Sequence, residues 1–164
     1  MMYAEDLVKK TGMLLLENGL TIATAESCTG GLIGHLLTSI PGSSLYYLGG
    51  IIPYSNTIKT EILGVTEDTL AKFGAVSHEC LKQMAAGVRD IMKSNISLAV
   101  SGIAGPDGGS PEKPVGTVFF ALADKNGVES VKFFFDGNRS DIKYKSAETA
   151  LELICKTVAM KNKI

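Results

Sequence analysis

Two short apolar runs in this sequence each end in a turn of small and hydroxyl-bearing residues, and that repeated arrangement limits what the chain can fold into. The first run is Leu20 to Ala25, followed by Glu26-Ser27-Cys28-Thr29-Gly30-Gly31. The second is Ile96 to Ser101, followed by a Gly- and Pro-rich loop that reaches Pro114. Each reads as a buried strand running out into a turn. Buried strands alternating with helical stretches belong to an α/β domain, whose ligands bind at the carboxyl ends of the strands.

The rest of the chain supplies those helices. Ala4 to Glu17 places Ala4, Leu7, Val8, Thr11, Leu14 and Leu15 on one helical face, and Asn18-Gly19 stops it. A helix from Gly31 to Ile40 ends at Pro41-Gly42, and Leu45 to Pro53 reads as a strand. Thr57 to Leu63 and Thr66 to Phe73 are short helices, the second capped by Thr66. Ser77 caps a longer helix whose apolar face is Leu81, Met84, Ala85, Val88, Ile91 and Met92. Asn126-Gly127, between Gly116–Ala123 and Val128–Phe135, predicts a hairpin. Ser140 begins and caps a last helix, with Ala147, Ala150, Leu151, Ile154 and Val158 facing in. The expected architecture is one domain over residues 1–164, a three-layer α/β/α sandwich with a mixed, mostly parallel sheet.

Composition narrows the function. Sixteen basic residues nearly cancel 17 acidic ones. No broad electrostatic footprint for nucleic acid is expected. No apolar run of about 18 residues occurs, so no membrane span is expected. The first apolar stretch is broken by Lys9 and Lys10 and preceded by Glu5 and Asp6, unlike a signal peptide. Cys28, Cys80 and Cys155 form no CxxC pair, which argues against a zinc ribbon or a redox dithiol and for a reduced, cytoplasmic protein.

Several residues could carry chemistry. Backbone N–H groups at the Thr29-Gly30-Gly31 helix start could hold an anion, with Thr29 adding a hydroxyl, or these residues only cap and pack. Gly102 and Gly105 lie in the second turn and could contact a ligand in the same way. Ser43, Ser44, Tyr54, Ser55, Asn56 and Lys59 surround the second strand. The two histidines, His35 and His78, fall on helices and suggest no triad. Lys59 remains as a base, because a lysine desolvated in a pocket can accept a serine proton, although a lysine on a short helix is ordinarily solvated. Arg139, between a strand and a helix, could pair with a phosphate or simply lie in a surface ion pair. The Ser-x-x-Lys matches at Ser110 and Ser140 read as chance. No metal or cofactor is implied.

Taken in order, Ala25-Glu26-Ser27-Cys28-Thr29-Gly30-Gly31, Pro41-Gly42-Ser43-Ser44, Tyr54-Ser55-Asn56-Thr57-Ile58-Lys59, Gly74-Ala75-Val76-Ser77, Ser101 to Gly109 and Pro114-Val115-Gly116-Thr117-Val118 resemble the CinA C-terminal domain family. Its stand-alone members include nicotinamide-nucleotide amidohydrolases. The resemblance implies hydrolysis of the carboxamide of nicotinamide mononucleotide to nicotinate mononucleotide and ammonia, a pyridine-nucleotide recycling step needing no metal. It assigns catalytic positions to Ser27, Ser44, Tyr54 and Lys59, with either serine as nucleophile. It assigns substrate recognition to Ser101 and Arg139. Ser101 stands where many relatives have Thr, and Pro53 where a small residue is expected. The nucleotide-processing domain of two-domain relatives is not among these motifs, so no pyrophosphatase activity is expected of them. The alternative is a nucleotide-binding or regulatory module without amidase activity. The expected partners are the mononucleotide substrate and a second copy of the chain, as a dimer, with no nucleic acid and no membrane.

Overall fold

The computed structural model describes residues 2–161, and the Ala4 side chain lies outside what is described. In chain order it contains helix α1 (Met2–Glu17), strand β1 (Ile22–Glu26), helix α2 (Leu32–Thr38), a 3-10 turn (Ser43–Leu45), β2 (Tyr47–Ile51), α3 (Asn56–Glu61), α4 (Glu67–Phe73), α5 (His78–Met92), β3 (Ile96–Gly102), β4 (Thr117–Asp124), β5 (Gly127–Phe134) and α6 (Arg139–Lys161). The strands form one sheet in the order β2-β1-β3-β4-β5. β1 runs parallel to β2 and β3, while β3–β4 and β4–β5 are antiparallel. Four strands therefore point one way and β4 alone opposes them.

Side-chain alternation divides the core into two layers. On one face Ile22, Ile96, Leu98, Val100, Val118 and Phe120 meet Val8 and Leu15 of α1, Ile33 and Leu37 of α2, and Leu151 and Ile154 of α6. On the other, Ala23, Ala25, Ala99 and Ala121 meet Leu81, Met84, Ala85 and Val88 of α5, with Leu63 and Val65 alongside. The small alanine face lets α5 lie close to the sheet. All five residues of β1 are buried, as are all of β3 except Gly102. A strand covered on both faces lacks the apolar–polar alternation of a half-exposed one, and β1 and β3 accordingly consist of apolar, small and hydroxyl-bearing residues apart from Glu26. No helix among the described residues is long and apolar enough to cross a membrane.

Five local expectations give way to tertiary detail. Gly31 adopts φ 95°, so α2 begins at Leu32. The 3-10 turn takes up Leu45, so β2 begins at Tyr47. The hairpin loop is Lys125-Asn126, with Gly127 already paired to Asp124. Neither loop residue has a positive φ, and the Asp124 carboxylate accepts the Asn126 N–H at 2.7 Å. Asp first and Gly fourth is the type I pattern, not the Asn-Gly primed turn. Finally, Asn138 caps α6 in place of Ser140. Its side-chain oxygen accepts from Ser140 N at 2.8 Å and Asp141 N at 3.1 Å, while Asp141 accepts the Asn138 N–H at 2.9 Å. This reciprocal box puts Arg139 in the first turn. On α5, Ile91 is exposed and only Met92 of that last turn packs against the core.

Candidate active site

Parallel pairing sends the ends of β1, β2 and β3 to one edge of the sheet, and β5 also ends there. Ser27 follows β1 directly, held by its N–H to the Val100 carbonyl at 3.0 Å. Past the end of β2 the chain bends at Ile52 to Tyr54, and Ser55 caps α3 by accepting the Ile58 N–H at 3.3 Å. That short helix turns Lys59 inward, where it is only 2% exposed. The Lys59 Nζ lies 2.8 Å from the Pro53 carbonyl, 3.3 Å from the Tyr54 carbonyl and 3.3 Å from Ser27 Oγ. Burial pushes this amine below its ordinary pKa, and the nearby thiols of Cys80 and Cys28 oppose that only in part. Pro53 serves through its carbonyl, which any residue would supply.

The arrangement suits proton transfer. A neutral amine has two N–H bonds and one lone pair. Two carbonyls can hold the N–H bonds, leaving the lone pair for the Ser27 hydroxyl. A protonated amine can instead donate to all three acceptors. Ser27 and Lys59 thus bring a hydroxyl and a buried amine within hydrogen-bond reach of each other, the pairing that a nucleophile and its base require.

The Thr29-Gly30-Gly31 turn is not an open anion site. The Glu26 carboxylate, 2% exposed, fills the start of α2. It accepts from Thr29 Oγ1 at 2.7 Å, Gly31 N at 3.1 Å, Ile33 N at 2.9 Å and Gly34 N at 2.7 Å. The Gly30 N–H is bonded back to the Ser27 carbonyl at 3.2 Å. The Gly30 and Gly31 N–H groups and the Thr29 hydroxyl are therefore spent within the chain, the last on Glu26. The missed signal was an acidic residue at a strand end just before a helix start, where it opposes the helix dipole.

The second turn is less committed. Ile103 donates to the Thr117 carbonyl and Gly116 to that of Ile103, but the N–H groups of Ala104 and Gly105 have no partner among the described residues. Gly102 is required by packing, since a Cβ there would sit 2.7 Å from the Thr117 carbonyl oxygen. Gly105 has φ 77°, and its carbonyl accepts from Arg139 Nη1 at 2.7 Å. Arg139 Nη2 donates to the Tyr54 hydroxyl at 2.8 Å, so one guanidinium ties this loop to the end of β2. Ser101 is buried in β3, and alternation puts it on the α5 face, like Ser97, whose hydroxyl reaches the Ala85 carbonyl.

Ser44 is not brought to this cluster. It lies exposed in the 3-10 turn before β2, at the opposite edge of the sheet. His35 is exposed, and His78 bonds Ser130 and packs edge-on against Phe119. Burial pushes the Cys28 thiol up to about 12, so it is a core side chain and not a reactive one. A cavity of about 330 Å³ opens beside Gly30 and Gly31, lined also by Ser140, Lys143 and Tyr144. Larger cavities of about 860 and 780 Å³ lie near Arg89 and along β5. None of the three is lined by Ser27 or Lys59.

The sequence profile of the CinA C-terminal domain matches residues 4–158. A CinA-like protein of Endomicrobium trichonymphae is 48% identical over 158 residues, covering 96% of this chain and 37% of that protein. The chain thus spans just over a third of that relative's length. Among solved structures, the competence/damage inducible protein CihA of Agrobacterium tumefaciens has a TM-score of 0.89 at 43% identity, with 92% of this chain and 93% of that one covered. The CinA superfamily protein of Klebsiella pneumoniae 700603 has a TM-score of 0.92 at 30% identity, covering 96% and 98%.

Proposed function

The chain belongs to the CinA C-terminal domain family, and on that premise we propose that it hydrolyses the carboxamide of nicotinamide mononucleotide to nicotinate mononucleotide and ammonia. The observation that carries this reading is the buried Lys59 amine 3.3 Å from Ser27 Oγ. Of the two serines that the family resemblance offers, Ser27 is the one beside the lysine.

In this mechanism Ser27 Oγ attacks the amide carbon and its proton passes to Lys59 Nζ. The tetrahedral intermediate collapses, and Lys59 returns that proton to the departing nitrogen, which leaves as ammonia. Water then attacks the acyl ester, giving a proton to Lys59, and Ser27 recovers it as the carboxylic acid leaves. The unpartnered N–H groups of Ala104 and Gly105 are the donors suited to the oxyanion. Arg139 uses two N–H groups on Gly105 and Tyr54, and its others are available to the substrate phosphate, with Lys143 on the same helix. The three unpaired thiols suit a reducing compartment such as the cytoplasm.

The test is ammonia release from the mononucleotide by EDTA-treated protein beside folded Ser27→Ala and Lys59→Met. Wild-type release that falls by about 100-fold or more in each variant is the expected result. Binding of the mononucleotide without ammonia release would instead assign the chain to a nucleotide-binding module.

A further inference from the structure

We propose that the cavity at the far end of the sheet from Ser27 is a binding site for a small phosphate monoester. The site uses neither Ser27 nor Lys59, so it stands apart from the amide-hydrolysis reading.

The cavity, of about 860 Å³, opens where β1 and β3 begin, beside the last turn of α5 and the β4–β5 turn. That volume is within the range of small-molecule sites. Arg89, Lys93 and Lys125 bring three positive charges to its wall, and Asp90 brings one negative charge. A phosphate monoester, with about two negative charges at neutral pH, balances the excess. The formal net charge of -1 leaves no broad basic surface for a nucleic-acid backbone, so a small molecule is the fitting ligand.

These charges are not used up inside the chain. Arg89 Nε donates to the Asn95 carbonyl at 3.2 Å, which steadies the guanidinium, and Nη1 lies 4.0 Å from Asp90, beyond hydrogen-bond distance. Lys93 and Lys125 have no hydrogen-bond or ion-pair partner among the described residues. A helix end draws cations to its last carbonyls, but neither lysine amine reaches one there.

Two neutral groups point to a ligand independently of charge. Ser94 lines the cavity and is 5% exposed, yet its hydroxyl has no hydrogen-bond partner among the described residues. Buried hydroxyls are nearly always paired, so an unpaired one on a cavity wall calls for a partner from the cavity. Asn95 Oδ1 accepts from Thr21 N at 2.8 Å and from Thr21 Oγ1 at 2.9 Å. That leaves the Asn95 NH2 group as a donor without a partner among the described residues. Guanidinium, ammonium, hydroxyl and amide groups thus offer donors, and the oxygens of a phosphate dianion accept.

The test is a titration of 15N-labelled protein with ribose 5-phosphate at constant ionic strength, read by backbone amide shifts, with ribose and acetate as controls. Saturable shifts at Ser94, Asn95 and Lys125 are expected with the phosphate and with neither control. Lys93→Asn/Lys125→Gln should weaken binding by about tenfold, and Ser94→Ala by about threefold. Asn tolerates the φ of 54° at position 93, and Lys125 lies in an exposed turn, so the fold is kept. No saturation by about 20 mM overturns the proposal. Equal shifts with acetate, shifts confined to Gly30, Gly31 and Lys143, or an affinity that the variants leave unchanged also overturn it. If the protein releases no ammonia from nicotinamide mononucleotide, the amide reading fails, and the titration still decides this site.

Discussion

At Lys59, burial and three oxygen acceptors act on one amine, and the balance between them sets its behaviour with pH. Burial lowers the folded-state pKa below that of the unfolded chain. Between the two values the unfolded chain holds the extra proton, so stability gains with rising pH through that window and levels off above it. Cys28 and Cys80, raised to about 12 and about 11, act in the opposite sense at high pH. The informative quantity is therefore the difference between wild type and Lys59→Met. The wild-type melting temperature should gain on that of the variant as pH rises from neutral. Under the same account, kcat/KM should climb tenfold per pH unit below the Lys59 pKa. A residual kcat/KM of Lys59→Met that keeps the wild-type acid limb would remove the lysine as base. Glu26 presents the converse case, a buried carboxylate with every nearby donor satisfied. Glu26→Ala leaves the Gly31, Ile33 and Gly34 N–H groups without their acceptor. It should cost about 2–4 kcal/mol in urea denaturation. A loss under about 0.5 kcal/mol, within the range of ordinary surface changes, would show that water replaces the cap.

At the level of elements, the position of Lys59 depends on how closely α5 approaches the segment that follows α3. Gly87 makes that approach possible, since a Cβ there would run into the Leu63 carbonyl oxygen. The contact is with backbone, so no rotamer change relieves it. Gly87→Ala should destabilise the protein by about 1–3 kcal/mol, despite the better helix propensity of alanine. Because Leu63 closes the turn after α3, the same variant should also depress activity at saturating substrate. A more stable Gly87→Ala protein would show that α3 tolerates a shift. The start of α6 works by a different device. The Asn138–Asp141 box fixes the first turn, and Arg139 leaves that turn to join Gly105 and Tyr54. A local cap thereby ties three segments that are far apart in sequence.

For the molecule as a whole, the central strands were legible because burial on both faces limits β1 and β3 to apolar, small and hydroxyl-bearing residues, with Glu26 the one exception. The cap residues Thr66 and Ser77 were legible because their bonds are local, each to an N–H three residues on. The features that were not legible depend on partners elsewhere or on a backbone angle. Ser140 looked like a cap because Asn138, two residues earlier, has equal chemistry. Gly30 and Gly31 looked open because nothing local says that Glu26 folds back onto their helix. Ser44 lies nearer than Ser27 to Lys59 in sequence, yet parallel pairing of β1 with β2 carries it to the opposite edge. Ser27 reaches Lys59 across 32 residues through the sheet alone. The family resemblance named both serines, and only the topology separates them.

That separation is also the account's most exposed claim. Protein turning over nicotinamide mononucleotide should be quenched in acid, digested and weighed peptide by peptide. An added acyl mass is expected on the peptide that holds Ser27, and none in Ser27→Ala. The same mass on the peptide that holds Ser44, or on Cys28, would contradict it.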